Sequence, residues 1–152
     1  MAPYSLFSKA RLWRSSILVL LASLLTAGAR PYPPAPTQPQ VARRFLVEIL
    51  RADYAAAYRR LAPEVRAGVP LAAFSGAARP LWQQGQTCGP AIELYQVGAR
   101  LGNGRTGSQW FCRFTFASDS ARHPPPVLLE VTFRDTTARA VLGFELRRRG
   151  RG

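Results

Sequence analysis

The feature that most constrains the fold is a change in the spacing of apolar residues near Ala91. Before Ala91 apolar side chains recur every three or four residues, which is typical of amphipathic helices. After it they alternate with polar side chains, which is typical of strands with one buried face. Helices followed by strands predict an α+β domain, in which N-terminal helices pack on the apolar face of a curved antiparallel sheet.

Three helices are predicted before the change in spacing. The first covers residues 41–52, and Asp53 is predicted to cap the second, because its carboxylate can accept hydrogen bonds from free backbone N–H groups. Pro63 breaks or kinks the second helix, and Pro70 fits the first turn of the third. Residues 85–90 are predicted to form a loop.

Four strands are predicted to form an antiparallel meander, and the hairpin turns decide which side chains are buried. A first hairpin centred on Asn103-Gly104 would place Glu93 on the apolar face. A slip of one residue would place Ile92 and Leu94 there instead. Both registers stay open at this point. The predicted strands cover residues 92–101, 109–116, 127–134 and 140–147.

The last hairpin has a clearer register. Centred on Thr136-Thr137, it pairs Val131 with Leu142, so that the apolar faces of its two strands coincide. The opposite face then carries Glu130 and Glu145. Arginines in reach of these two acids are predicted to form exposed ion pairs of little energetic value. These arginines are Arg113, Arg134 and Arg147.

The first 29 residues resemble a secretory signal peptide. Lys9, Arg11 and Arg14 precede an apolar run, and Ala27-Gly28-Ala29 supplies the small residues typical of a cleavage site. The 13 residues from 17 to 29 are fewer than the ~20 that a membrane-spanning helix needs. We therefore expect export to the periplasm or beyond the cell after cleavage near Ala29, although an uncleaved anchor is the alternative.

Composition divides the rest of the chain into three parts. Residues 30–40 contain five prolines and are predicted to be an extended linker. Residues 41–147 form the single α+β domain, and residues 148–152 form an Arg/Gly-rich tail. No later stretch is apolar enough to predict a transmembrane segment in the mature chain.

The chain has two cysteines, Cys88 and Cys112. In an exported protein two cysteines are most simply interpreted as one disulfide. The alternative is two separate thiols, with Cys112 buried in a strand and Cys88 in a loop.

The formal net charge is +13, and 20 of the 21 basic residues are arginine. This charge favours attraction to anionic surfaces, or else reflects an ordinary solvated surface. Nucleic acid is not expected as a partner, because no basic stripe is interleaved with exposed aromatic residues.

Motifs for catalysis or cofactor binding do not occur in this sequence. His123 is the only histidine and lies in a proline-rich loop, which disfavours a histidine-based catalytic triad or metal site. Neither a metal nor a cofactor is therefore predicted. Glu93 is the one acid that could lie among apolar groups as a general base.

The helix sequence FLVEILRADYAAAYRRL, the following Pro-initiated helix, and the strands LLEVTFRD and VLGFELR resemble the nuclear transport factor 2-like superfamily. The exported bacterial members of unknown function are the most similar, and in them an aspartate–tyrosine pair opens the second helix, as Asp53-Tyr54 would here. The resemblance implies a cone-shaped α+β domain around an apolar pocket. It does not choose between the enzymes and the binding proteins of that superfamily.

Three functional hypotheses follow. The first is a non-enzymatic exported domain that binds a small apolar ligand or a partner protein, such as an envelope protein, in its cone. The second is an envelope module that binds anionic surfaces through arginines. The third is an isomerase- or cyclase-type enzyme, which requires Glu93 or a tyrosine to point into the pocket. The residues expected to line the interior are Trp82, Glu93, Tyr95, Trp110, Phe114, Phe133 and Phe144.

Overall fold

A computed structural model describes residues 34–102 and 107–149 of the chain. Four helices precede a four-stranded antiparallel sheet with the strand order β1-β2-β3-β4, which confirms the α+β fold class. The predicted signal peptide, the first part of the linker, the Asn103-Gly104 turn and the end of the tail lie outside the described residues.

Helix α1 covers Gln38–Leu50 and begins three residues earlier than the sequence predicts. Thr37 caps it: its hydroxyl accepts from the Gln40 backbone N–H, and the Gln40 side chain accepts from the Thr37 backbone N–H at 2.9 Å. This reciprocal capping box, with Pro39 in the first turn, explains the earlier start, because proline there sacrifices no helical hydrogen bond. The linker predicted to reach residue 40 therefore ends before Gln38.

Two short helices follow, α2 at Tyr54–Arg59 and α3 at Pro63–Gly68. Asp53 caps α2 as predicted, since its carboxylate accepts from the Ala56 backbone N–H at 3.0 Å. The second helix ends at Arg59, and Pro63 opens α3 rather than kinking a longer helix.

Helix α4 covers Leu71–Cys88, so the loop predicted over residues 85–90 is wrong for most of its length. The helix continues through Pro80 because Ala78, Leu81 and Gly85 are buried against the core on either side of it. Gly85 allows this close packing: a Cβ there would lie 2.5 Å from Cδ2 of Leu50.

The strands are β1 (Ile92–Arg100), β2 (Gln109–Phe116), β3 (Val127–Phe133) and β4 (Gly143–Arg148). A bulge at Tyr95 resolves the two registers left open for the first hairpin. On the N-terminal side of the bulge Ile92 pairs with Phe116 and Leu94 with Phe114, which is the register slipped by one residue. Glu93 lies opposite Thr115 on the outer face of the sheet.

The last hairpin has the predicted alternation but a register shifted by two residues, because Val131 pairs with Phe144 rather than with Leu142. The longer loop is organised by Asp135, whose carboxylate accepts from the backbone N–H groups of Thr137 and Ala138, both at 2.8 Å. The hydrogen bond from the Thr137 side chain is the main cause of the lowered pKa of Asp135.

The core lies between the helices and the inner face of the sheet. On the outer face Glu130 is only 1% exposed, so the prediction of a weak exposed pair is wrong for this residue. Its carboxylate forms ion pairs with Arg113 at 2.8 Å, Arg147 at 3.6 Å and Arg100. Arg134, the third predicted partner, pairs with Glu64 instead.

Candidate functional site

An open apolar groove of about 530 Å³ lies where the helices meet strand β4. Helix α3 and its flanks form one wall, helix α4 forms a second, and β4 forms the third. The volume falls within the range typical of small-molecule sites. The lining residues are Leu61, Val65, Val69, Phe74, Ala77, Pro80, Leu81, Leu142, Gly143, Phe144, Glu145 and Leu146.

Aromatic contacts connect this groove to the core. The rings of Phe74 and Phe144 meet edge to face with centroids 5.5 Å apart. Phe45, fully buried on α1, lies 5.5 Å from Phe144 and 6.1 Å from Phe74. Edge-to-face pairs at these distances contribute beyond their buried area. The three rings therefore hold the inner side of the groove in place.

The α3 wall is fixed from the side of α2 by Tyr58. Its hydroxyl lies 2.8 Å from the carbonyl oxygen of Val69 and 3.1 Å from that of Arg66, and donates to them. Its ring packs on Phe74 with centroids 5.7 Å apart. Tyr58 thus positions Val69, which leads the chain from α3 into α4.

The groove is suited to apolar contact. Among the described residues the only charged one in its lining is Glu145, whose side chain is 57% exposed and pairs with Arg147 at 2.9 Å. A charge that is exposed and already paired adds little to binding at the rim. The remaining lining residues would contact a ligand through apolar side chains and backbone.

Strand β4 also presents a backbone edge beside the groove. Just before it, Val141 bridges the α2–α3 connection: Ala62 N–H donates to Val141 O, and Val141 N–H donates to Arg60 O, each at 2.8 Å. In the described part of the chain no strand continues this pairing along Gly143–Arg148. Edges of this kind can accept a further strand.

Only one of the seven residues predicted to line the interior lines this groove, namely Phe144. Phe114 and Phe133 are 1% and 0% exposed and belong to the packed core. Trp82 and Trp110 are half-buried. Inward-facing strand residues first fill the core of a small domain, which explains why Phe114 and Phe133 do not line the groove.

Glu93 and Tyr95, two other residues predicted to line the interior, are exposed to solvent. Glu93 is exposed on the outer face, where it cannot meet an apolar interior. Tyr95 lies at the bulge and is 41% exposed. The general-base role considered for Glu93 therefore has no structural basis, and the isomerase or cyclase hypothesis loses the residue on which it mainly rested.

Sequence reasoning missed the helical walls of the groove. After Pro63, Val65 and Val69 are four residues apart, the spacing of neighbours on one face of a helix. This spacing could have identified an apolar helical stripe there. Pro80 is exposed on α4 and also lines the groove.

The structure does not join the two cysteines: Cys88 and Cys112 are both free thiols in it. Cys88 ends α4, where the Gln84 side chain donates to its sulfur at 3.1 Å. Cys112 lies on the inner face of β2 and is 1% exposed. Burial raises the pKa of the Cys112 thiol to about 11.

We expect half-buried Cys88 to react with a thiol reagent at pH 8 at least ~100-fold faster than Cys112, whose reaction requires the core to open. Because the pKa of Cys112 rises from 9.0 to about 11 on folding, its stabilising contribution is complete below pH 9 and is lost as the pH rises toward 11. Thiol titration of the C88S and C112S variants measures each rate. If neither cysteine reacts with the thiol reagent until the protein has been reduced, the free-thiol state is contradicted.

Residues 34–102 and 107–149 contain neither a candidate metal-binding group nor a candidate membrane-spanning helix. No three His, Cys, Asp or Glu side chains in these ranges form a group that could hold a metal ion. His123 is exposed in its loop, as predicted. Within the same ranges no helix is long and apolar enough to cross a membrane.

The fold and the groove define an α+β domain with an open apolar cleft beside an edge strand. In comparisons with known proteins, no family model, curated protein or solved structure matches the chain.

Proposed function

We propose that this protein is an exported binding protein that holds an uncharged, apolar small molecule in the groove between α3, α4 and β4. The observation that carries the proposal is the lining itself: about 530 Å³ of space with one charged residue, which is already paired at the rim. Burial of apolar ligand surface against such walls contributes ~25 cal/mol per Å² before the costs of association.

An uncharged ligand is favoured because an ionised one would lose hydration without gaining a partner. Phe74 and Phe144 offer ring faces and edges, and Leu61, Val65 and Leu142 offer aliphatic contacts. A buried charge without a partner costs several kcal/mol. The proposed class is therefore a neutral aromatic or aliphatic molecule.

Export and membership of the nuclear transport factor 2-like superfamily are part of the proposal. The arrangement of helices followed by a four-stranded sheet supports the resemblance. The signal-peptide pattern of the first 29 residues supports the location.

The test uses N-phenyl-1-naphthylamine, a neutral probe that fluoresces in apolar sites. We expect saturable binding by the protein and at least tenfold weaker binding by the Ala77→Glu variant, since Ala77 is exposed on α4 and lines the groove. The matched control is Ala72→Glu, which adds the same charge to the same helix away from the lining residues and should bind as the wild type does. No saturable binding, or equal binding by all three proteins, would refute the proposal.

A second candidate is an extended segment of a partner protein that pairs along β4. The free edge of β4 next to the apolar groove favours it. This occupant would protect the β4 amides from hydrogen exchange, whereas a small apolar molecule would leave the outward amides unprotected.

A further inference from the structure

A second concavity, of about 640 Å³, lies on the face of α1 that points away from the core. Of the seven described residues that line it, four are arginines and one is an acid. The outward stripe of α1 provides most of the lining, and the chain just after α2 completes it. The residues are Gln40, Arg43, Arg44, Val47, Glu48, Arg51 and Arg60.

Glu48, the acid among the described residues that line this concavity, already forms an ion pair. Arg60 donates to both carboxylate oxygens of Glu48, at 2.6 and 2.5 Å, so the pair is bidentate. The hydrogen bond to Glu48 also raises the pKa of Arg60. Glu48 is therefore unavailable to neutralise the other arginines.

Arg43, Arg44 and Arg51 consequently have uncompensated charges. Each is exposed, and in the described part of the chain none forms an ion pair with a carboxylate. By contrast, Arg100, Arg113 and Arg147 on the sheet all pair with Glu130. The concavity is thus an open surface depression with an excess of positive charge.

Guanidinium groups bind phosphate oxygens in a planar, bidentate manner, and a phosphate monoester carries nearly two negative charges. Arg44 and Arg51 are seven residues apart, so they lie on the same side of α1, about 10 Å apart along its axis. Arg43 precedes Arg44 in the sequence and also lines the concavity. A single small anion contacts only part of this set, whereas several phosphate groups can engage all of it.

We propose that this concavity binds a ligand carrying more than one phosphate group. The site is separate from the apolar groove, since the two sets of lining residues have no member in common. The same chemistry can come from a soluble polyphosphate or from phosphate groups at an anionic lipid surface, and the test distinguishes these sources.

The first arm measures tripolyphosphate binding by calorimetry at low ionic strength. We expect the triple variant Arg43→Gln/Arg44→Gln/Arg51→Gln to bind at least tenfold more weakly than the wild type. The matched control is Arg66→Gln/Arg79→Gln/Arg149→Gln, which removes the same number of exposed charges from elsewhere and should stay within twofold of the wild type. Far-ultraviolet circular dichroism of both variants checks the fold.

The second arm measures co-sedimentation with phosphatidylglycerol vesicles and with phosphatidylcholine vesicles. If the α1 triple variant binds tripolyphosphate more weakly than the control variant does, the result supports a soluble polyphosphate as the ligand. If it co-sediments less than the control variant with phosphatidylglycerol vesicles, the result supports a lipid source. Equal losses by both triple variants would show general charge attraction and overturn the proposal. The absence of wild-type binding to both probes would overturn it as well.

Discussion

The Phe45→Ala substitution is expected to lower the free energy of unfolding by about 4 kcal/mol. Phe45 is 0% exposed and its ring contacts both Phe74 and Phe144, so truncation leaves a cavity between α1, α4 and β4. A domain of this size has a total stability of only ~5–15 kcal/mol, so the loss is a large fraction of it. Urea unfolding followed by circular dichroism measures the change.

Leu101→Ala is the control, because Leu101 is 89% exposed and its truncation should change stability by less than ~0.5 kcal/mol. Phe45→Leu should fall between the two, since it retains much of the buried volume. A Phe45→Ala variant within ~1 kcal/mol of the wild type would contradict the packing described for the inner side of the groove.

The Glu130→Gln substitution is expected to cost about 3 kcal/mol, although it preserves the shape of the side chain. Glu130 is 1% exposed, and the arginines that pair with it have side chains that are 20% and 40% exposed. A neutral amide leaves Arg100, Arg113 and Arg147 in mutual repulsion on the outer face of the sheet. Urea unfolding again measures the change.

Glu145→Gln is the matched control on the same face. The Glu145 side chain is 57% exposed, and its pair with Arg147 is of the surface kind that contributes ~0–1 kcal/mol. Equal stability of the two variants would show that Glu130 does not organise the arginine cluster.

The sequence predicts the fold class because the spacing of apolar residues shows which face of each helix or strand is buried. Asp53 was placed correctly as a helix cap, and Pro70 lies one residue outside the first turn predicted for it, as the N-cap of α4, since capping and proline geometry are local effects. The length of α4 was not predictable in this way: Gly76 and Pro80 weaken it locally, and only burial against α1 and the sheet sustains it.

The site was harder to predict than the fold. The bulge at Tyr95 shifts the register within β1, and no residue type in that strand indicates it. The groove forms where α3, α4 and β4 fail to close over Phe74 and Phe144, which is a tertiary property. Sequence periodicity identifies apolar faces but not which of them stay open.

The most direct test of the apolar groove is a methyl ¹³C–¹H spectrum of leucine- and valine-labelled protein during titration with N-phenyl-1-naphthylamine. We expect the largest shifts at Val65, Val69 and Leu142, which line the groove. Val97 should shift little, although it is 43% exposed on β1 and equally apolar. Shifts centred on Val97, or no saturable shifts at the groove methyl groups, would contradict binding at this site.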